Sequence, residues 1–125
     1  MSNLCDRLVE ACRKLNFKVK DVDDSIVIVR YQMHFIHICY NEKSQDDCTV
    51  MVAVEKNVTD EGRLEVLERC NALNGRLKHF KYYIMGPGVV AAMEFLFNND
   101  DELAFQLGYA VRSICQAKAI YERNV

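Results

Sequence analysis

The chain has 125 residues, half of them hydrophobic and 27% charged, with one proline and five glycines. That balance excludes a disordered or low-complexity polymer and suits one domain, residues 1–125, whose core needs no metal or disulfide. Sixteen basic residues stand against 18 acidic ones for a net charge of −2. The basic residues are scattered rather than gathered into the stripe a phosphate backbone demands, which excludes nucleic acid as a partner.

Residues 3–15 carry apolar side chains at 4, 8, 11, 12 and 15, the helical period. Ser2 or Asn3 can cap the start, and Asn16 tolerates the left-handed conformation that ends a helix. The period then changes. Phe17 and Val19 alternate with Lys18 and Lys20 in a half-buried strand, and residues 22–25 read as a turn with acidic tips. Residues 26–40 are too long for one strand and too β-branched for a helix, so they predict two strands, 26–31 and 34–40, joined near Gln32-Met33. A polar loop at 41–47 leads to a strand at 48–55 with Val50, Val52 and Val54 on one face.

Thr59 or Asp60 is the expected cap of a second helix that runs to about Leu73 and stops at Asn74-Gly75. Phe80, Tyr82 and Ile84 alternate up to Gly86-Pro87-Gly88, and the apolar run 89–97 follows, which predicts a β-hairpin. The last helix opens at Asn99 or Asp100, with Asp101 and Glu102 at its positive end and apolar groups at 103, 107, 110, 114, 117 and 121. The predicted class is α+β: an antiparallel sheet of five to six strands flanked by three helices, in the order α-β-β-β(-β)-α-β-β-α.

The six cysteines follow the core pattern; Cys5 and Cys12 share a helical face with Leu4, Leu8 and Leu15. They read as free, buried thiols. The N-terminus reads as an amphipathic helix rather than a signal peptide, and no stretch has the apolar length of a membrane span. A reducing, cytoplasmic setting is expected.

No catalytic, cofactor or metal constellation emerges. His34 and His37 are three apart on a strand and point to opposite faces, so they cannot chelate one metal together, and His79 is distant in sequence. Asp21, Asp23 and Asp24 lack the glycine and glutamate that a calcium loop requires. Gly86-Pro87-Gly88 lacks the lysine and hydroxyl of a phosphate loop. Cys39 and His37 share a strand face, the nearest approach to a nucleophile with its base. Glu94, a carboxylate inside an apolar run, needs water or a partner; a turn at Pro87-Gly88 would set it opposite Lys81.

Asn71-Ala72-Leu73-Asn74, then Lys81-Tyr82-Tyr83 and the hairpin into Glu94-Phe95, resemble the second half of the YbjN-like proteins, which share the type III secretion chaperone-like fold. The resemblance implies a helix-flanked antiparallel sheet, homodimerisation, and binding of protein segments rather than catalysis. The expected activity is that of a non-enzymatic protein- or peptide-binding module, with Tyr31, Met33, Phe35 and Glu94 as candidate contact residues. The alternative is a small-molecule sensor or enzyme with a pocket between sheet and helices, built on Glu94 and the Cys39/His37 pair.

Overall fold

The structure is a computed structural model that describes residues 3–123. Helix α1 (Leu4–Lys14) leads into four consecutive strands, β1 (Lys18–Val22), β2 (Ile26–Tyr31), β3 (His34–Tyr40) and β4 (Asp47–Glu55). Helix α2 (Arg63–Arg76), the hairpin β5 (Lys81–Met85) and β6 (Gly88–Leu96), and the helices α3 (Asp100–Ile114) and α4 (Ala117–Arg123) follow. All six strands join one antiparallel sheet in the order β1-β2-β3-β4-β6-β5. The α+β class and element order predicted from periodicity are those observed.

Local chemistry explains the element ends. Asn3 caps α1 by accepting the Asp6 N–H at 2.8 Å; Ser2, the other expected cap, lies outside the described residues. Asn16 takes φ +62° after α1, as a left-handed stop should. Asn99 caps α3 through the Glu102 N–H at 2.9 Å, and the Glu102 carboxylate reaches back to the Asn98 N–H at 3.3 Å. Asp23 closes its turn by accepting the Ser25 N–H at 2.9 Å.

Three boundaries differ from expectation. Thr59 accepts the Gly62 N–H in a short turn, and α2 begins only at Arg63. That helix then runs through Asn74-Gly75 to Arg76, because the Asn74 side chain is engaged elsewhere: it accepts the Tyr82 N–H at 2.7 Å and donates to the Tyr82 carbonyl at 2.9 Å. The last helix is interrupted at Cys115-Gln116 into α3 and α4. The apolar row nevertheless continues across the break, with Ile114, Ala117 and Tyr121 all buried.

The helices share one side of the sheet. α1 packs on β1 and β2, α3 on β4 and β6, α4 on β4, and α2 on β5. Facing them, Val27, Val29, Ile36, Ile38, Val50 and Val89 are fully excluded from solvent. Tyr82 completes this layer and donates its hydroxyl to the Ala117 carbonyl at 2.6 Å, which ties β5 to the start of α4. The strand alternation that fills this core sends the intervening side chains to a second face that no helix covers.

Candidate functional site: the uncovered face of the sheet

Register fixes the layout of the second face. One row runs Asp21, Ile28, His37, Met51, Ala92 and Lys81 across all six strands. A second contains Ile26, Cys39, Thr49 and Glu94. On the opposite side of the first row lie Lys18, Arg30 and Phe35, with Val90 and Tyr83 continuing toward the β5 edge. Asp47 pairs with Leu96 at the far end.

Much of this face is apolar and open. Phe35 is 56% exposed, Met85 51% and Leu96 70%. Ile26, Ile28, Met51, Val90 and Ala92 are half-buried only by one another and their flanking strands. Large apolar groups brought together on a flat surface favour contact with another surface.

The candidate contact residues separate. Phe35 and Glu94 stand on the uncovered face. Met33 is 82% exposed at the β2–β3 turn, where Gln32 (φ +48°) and Met33 (φ +70°) both adopt left-handed backbone. The Met33 sulfur accepts from the Arg30 guanidinium at 3.6 Å. Tyr31 points the other way: it pairs with His34 in the helix-side row and packs edge-on against Phe17 at 5.0 Å.

His34 and His37 lie on opposite faces, and His37, Cys39 and Glu94 share the uncovered one. None of these three lies between sheet and helices, where the alternative reading needs its pocket. Cys39 lines a shallow hollow with Tyr40, Asn41, Ser44, Cys48 and Thr49, to which neither His37 nor Glu94 contributes. Burial raises the Cys39 thiol pKa, the wrong direction for a nucleophile. The Tyr83 phenol is also raised, first by burial and then by the Cys39 thiol and the Glu94 carboxylate.

Glu94 and Lys81 do not pair. The hairpin turns at Gly86-Pro87, one residue earlier than expected, which sets Lys81 opposite Ala92 and Glu94 opposite Thr49. Gly86 has φ +59°, so it takes the left-handed first turn position while proline's fixed negative φ suits the second. Lys81 instead donates to the carbonyls of Asn74 at 3.0 Å and Leu77 at 2.9 Å.

Met51, Met85 and Leu96 also stand on this face, and the sequence reading did not single them out. The available signal was in β4: Thr49, Met51 and Ala53 are uncharged at the positions between buried Cys48, Val50, Val52 and Val54. Past Asp47 at its start, this face of β4 stays uncharged through Ala53, the pattern of a strand whose second face is also suited to being covered.

The helical side has surface features of its own. A cleft of about 100 Å³ between α1 and α3 holds the Arg7–Asp100 ion pair (2.7 Å). Phe105 and Tyr109 are exposed on α3, and the Tyr109 hydroxyl lies 3.1 Å from His79 Nδ1. No helix among the described residues is long and apolar enough to cross a membrane.

No protein-family model and no curated protein sequence matches this chain. Solved structures do resemble it. YbjN from E. coli, described as a candidate transcription regulator, superposes with a TM-score of 0.68 at 11% identity, over 93% of this chain and 87% of that one. The Yersinia pestis type III secretion chaperone SycH, crystallised with a stable fragment of YscM2, gives 0.62 at 10% identity, over 94% and 98%. An uncharacterised protein from Methanothermobacter thermautotrophicus gives 0.62 at 13% identity, over 96% and 97%. At such identities these likenesses establish the shared fold, that of YbjN and the secretion chaperones.

Proposed function

We propose that this chain is a non-enzymatic protein- or peptide-binding module, chaperone-like or regulatory, which engages its partner through the uncovered face of the sheet. The observation that carries this reading is the face itself: a broad apolar surface with Phe35, Met51, Tyr83 and Met85 on the side opposite every helix packing contact. Leaving it in water forgoes burial that a partner would supply, at about 25 cal/mol per Å² of apolar surface. That a secretion chaperone of this fold was crystallised with a fragment of a partner protein supports the same reading. The six free cysteines support a reducing, cytoplasmic setting. A homodimer is the simplest form of this reading, since a second copy is itself a polypeptide partner.

Affinity capture from the source cells, with Met51→Glu and Phe105→Glu compared against the unmodified chain, tests it. Captured proteins should be lost with Met51→Glu, which places a charge mid-face, and kept with Phe105→Glu on the helical side. Retention of the same set by Met51→Glu contradicts the reading.

A further inference from the structure

The end of β4 carries an irregularity that changes where one carboxylate points. Strand alternation through Asp47, Thr49, Met51 and Ala53 would carry Glu55 to the uncovered face. The register instead shifts between Ala53 and Glu55, and Glu55 lies opposite Val89, a fully buried residue of the helix side. A bulge of this kind re-aims a side chain. Gly88 permits it, because a Cβ there would run into the Glu55 backbone carbonyl.

On the helix side the Glu55 carboxylate accepts the hydroxyl of Tyr121 from α4 at 2.7 Å. The guanidinium of Arg69, from α2, lies over the same ring, its Cζ 4.8 Å from the centroid. With Val54 and Glu122 these residues line an open hollow of about 400 Å³, within the size range of ligand pockets. The Arg69 side chain is only 14% exposed, yet its one ion pair among the described residues is to Glu65, at 3.5 Å. Arg69 and Glu55 form no ion pair with each other. No side-chain nitrogen or oxygen among the described residues is sealed off without a partner, so the spare Arg69 N–H groups keep access to solvent.

We propose that this hollow binds a free α-amino acid, with its ammonium group on Glu55 and its carboxylate on Arg69. A carboxylate beyond the phenol oxygen and a guanidinium above the ring stand about 7 Å apart, a span that an ammonium and a carboxylate on one carbon bridge with a hydrogen bond at each end. The planar guanidinium fork matches a carboxylate. A lone cation would meet the Arg69 charge, and a lone anion would meet Glu55 and Glu122; a zwitterion satisfies both signs. Val54 and the Tyr121 ring give the ligand side chain an apolar wall, and the exposed Glu122 disfavours an acidic one. The site shares no residue with the sheet face proposed to bind protein, and either can fail without the other.

NMR titration of the isotopically labelled full chain with the standard amino acids, one at a time, tests the proposal. At least one should give amide shifts centred on Glu55, Arg69 and Tyr121 that saturate below about 10 mM, with aspartate and glutamate among the weakest. The N-acetyl and amide derivatives of the best ligand each lack one charge and should bind at least about tenfold more weakly. Glu55→Gln and Arg69→Met should each weaken that ligand by about tenfold while the far-UV circular dichroism spectrum stays unchanged. Should either variant unfold, the two blocked ligands make the same comparison on the unmodified chain. The absence of saturable shifts with every amino acid, shifts centred elsewhere, or equal binding of the blocked ligands overturns the proposal.

Discussion

Asn74 substitutes for a strand. With one amide it satisfies both the N–H and the C=O of Tyr82 on the outer edge of β5. Asn74→Ala leaves both backbone groups part-buried without partners, and urea denaturation should show a loss of about 2 kcal/mol. Gly88 is fixed by contact rather than by dihedral: a Cβ there would stand 2.4 Å from the Glu55 carbonyl oxygen. Gly88→Ala should therefore cost about 1–3 kcal/mol by the same measurement, whereas a loss under a few tenths would show that β4 can yield. Met33 presents the reverse case. An exposed thioether in left-handed backbone suits neither burial nor conformation, and Met33→Gly should raise stability by about 1 kcal/mol.

Titration follows the same buried groups. Burial raises the Cys12 thiol from 9.0 to about 12 and the Tyr82 phenol from 10.0 to about 12. Burial does the same to Tyr121, from 10.0 to about 12, helped by the Glu55 carboxylate that accepts its hydroxyl at 2.7 Å. Each group is protonated in the fold, and its folded pKa lies above the unfolded one. The stability this contributes is whole below about pH 9 and is lost as pH rises toward about 12. Thermal unfolding midpoints should be flat around neutrality and fall steeply between about pH 9 and about pH 11; a midpoint held through that range would contradict the burial of these groups.

At the scale of elements, legibility depended on whether a rule acts within one segment. Helix periods, strand alternation and the caps Asn3 and Asn99 are local, and they were readable. The β2–β3 hairpin was also readable at Gln32-Met33, although neither is a residue that favours positive φ, because the flanking β-branched runs left no other place to turn. The Gly86-Pro87 turn was misplaced by one residue, and one residue of turn moves every cross-strand partner by two. Glu94 consequently lost Lys81 as its expected neighbour. The break between α3 and α4 was invisible because the two-residue interruption keeps the apolar row in phase. Asn74 looked like a helix stop because its second role lies eight residues away, on a strand that only the folded chain brings alongside.

The sheet edges show how the elements are protected. β1 carries Lys18, Lys20 and Asp21 and an irregularity between Val19 and Asp21, features that discourage a further strand from adding. β5 is blocked at Tyr82 by Asn74. With both edges guarded, the surface left for association is the face and not the margin.

For the whole molecule, the decisive asymmetry is that one side of the sheet carries the helices and the other carries none. The helix-side residues were readable as core. The candidate contact residues divide between the faces: Phe35 and Glu94 lie on the uncovered face, while Tyr31 packs on Phe17 beneath the sheet. Strand parity separates the two faces in sequence, but nothing local says which face the helices will choose. Six strands with one covered side give a molecule that buries its core alone and, on the reading proposed above, offers its second face to another polypeptide.

Photo-crosslinking in the source cells tests that claim most directly, with a benzophenone amino acid placed at position 35 or 83 on the uncovered face, or at position 105 on α3. The account predicts abundant polypeptide adducts from positions 35 and 83, including adducts with a second copy of the chain, and few from 105. Adducts confined to position 105, with none from 35 and 83, would contradict it.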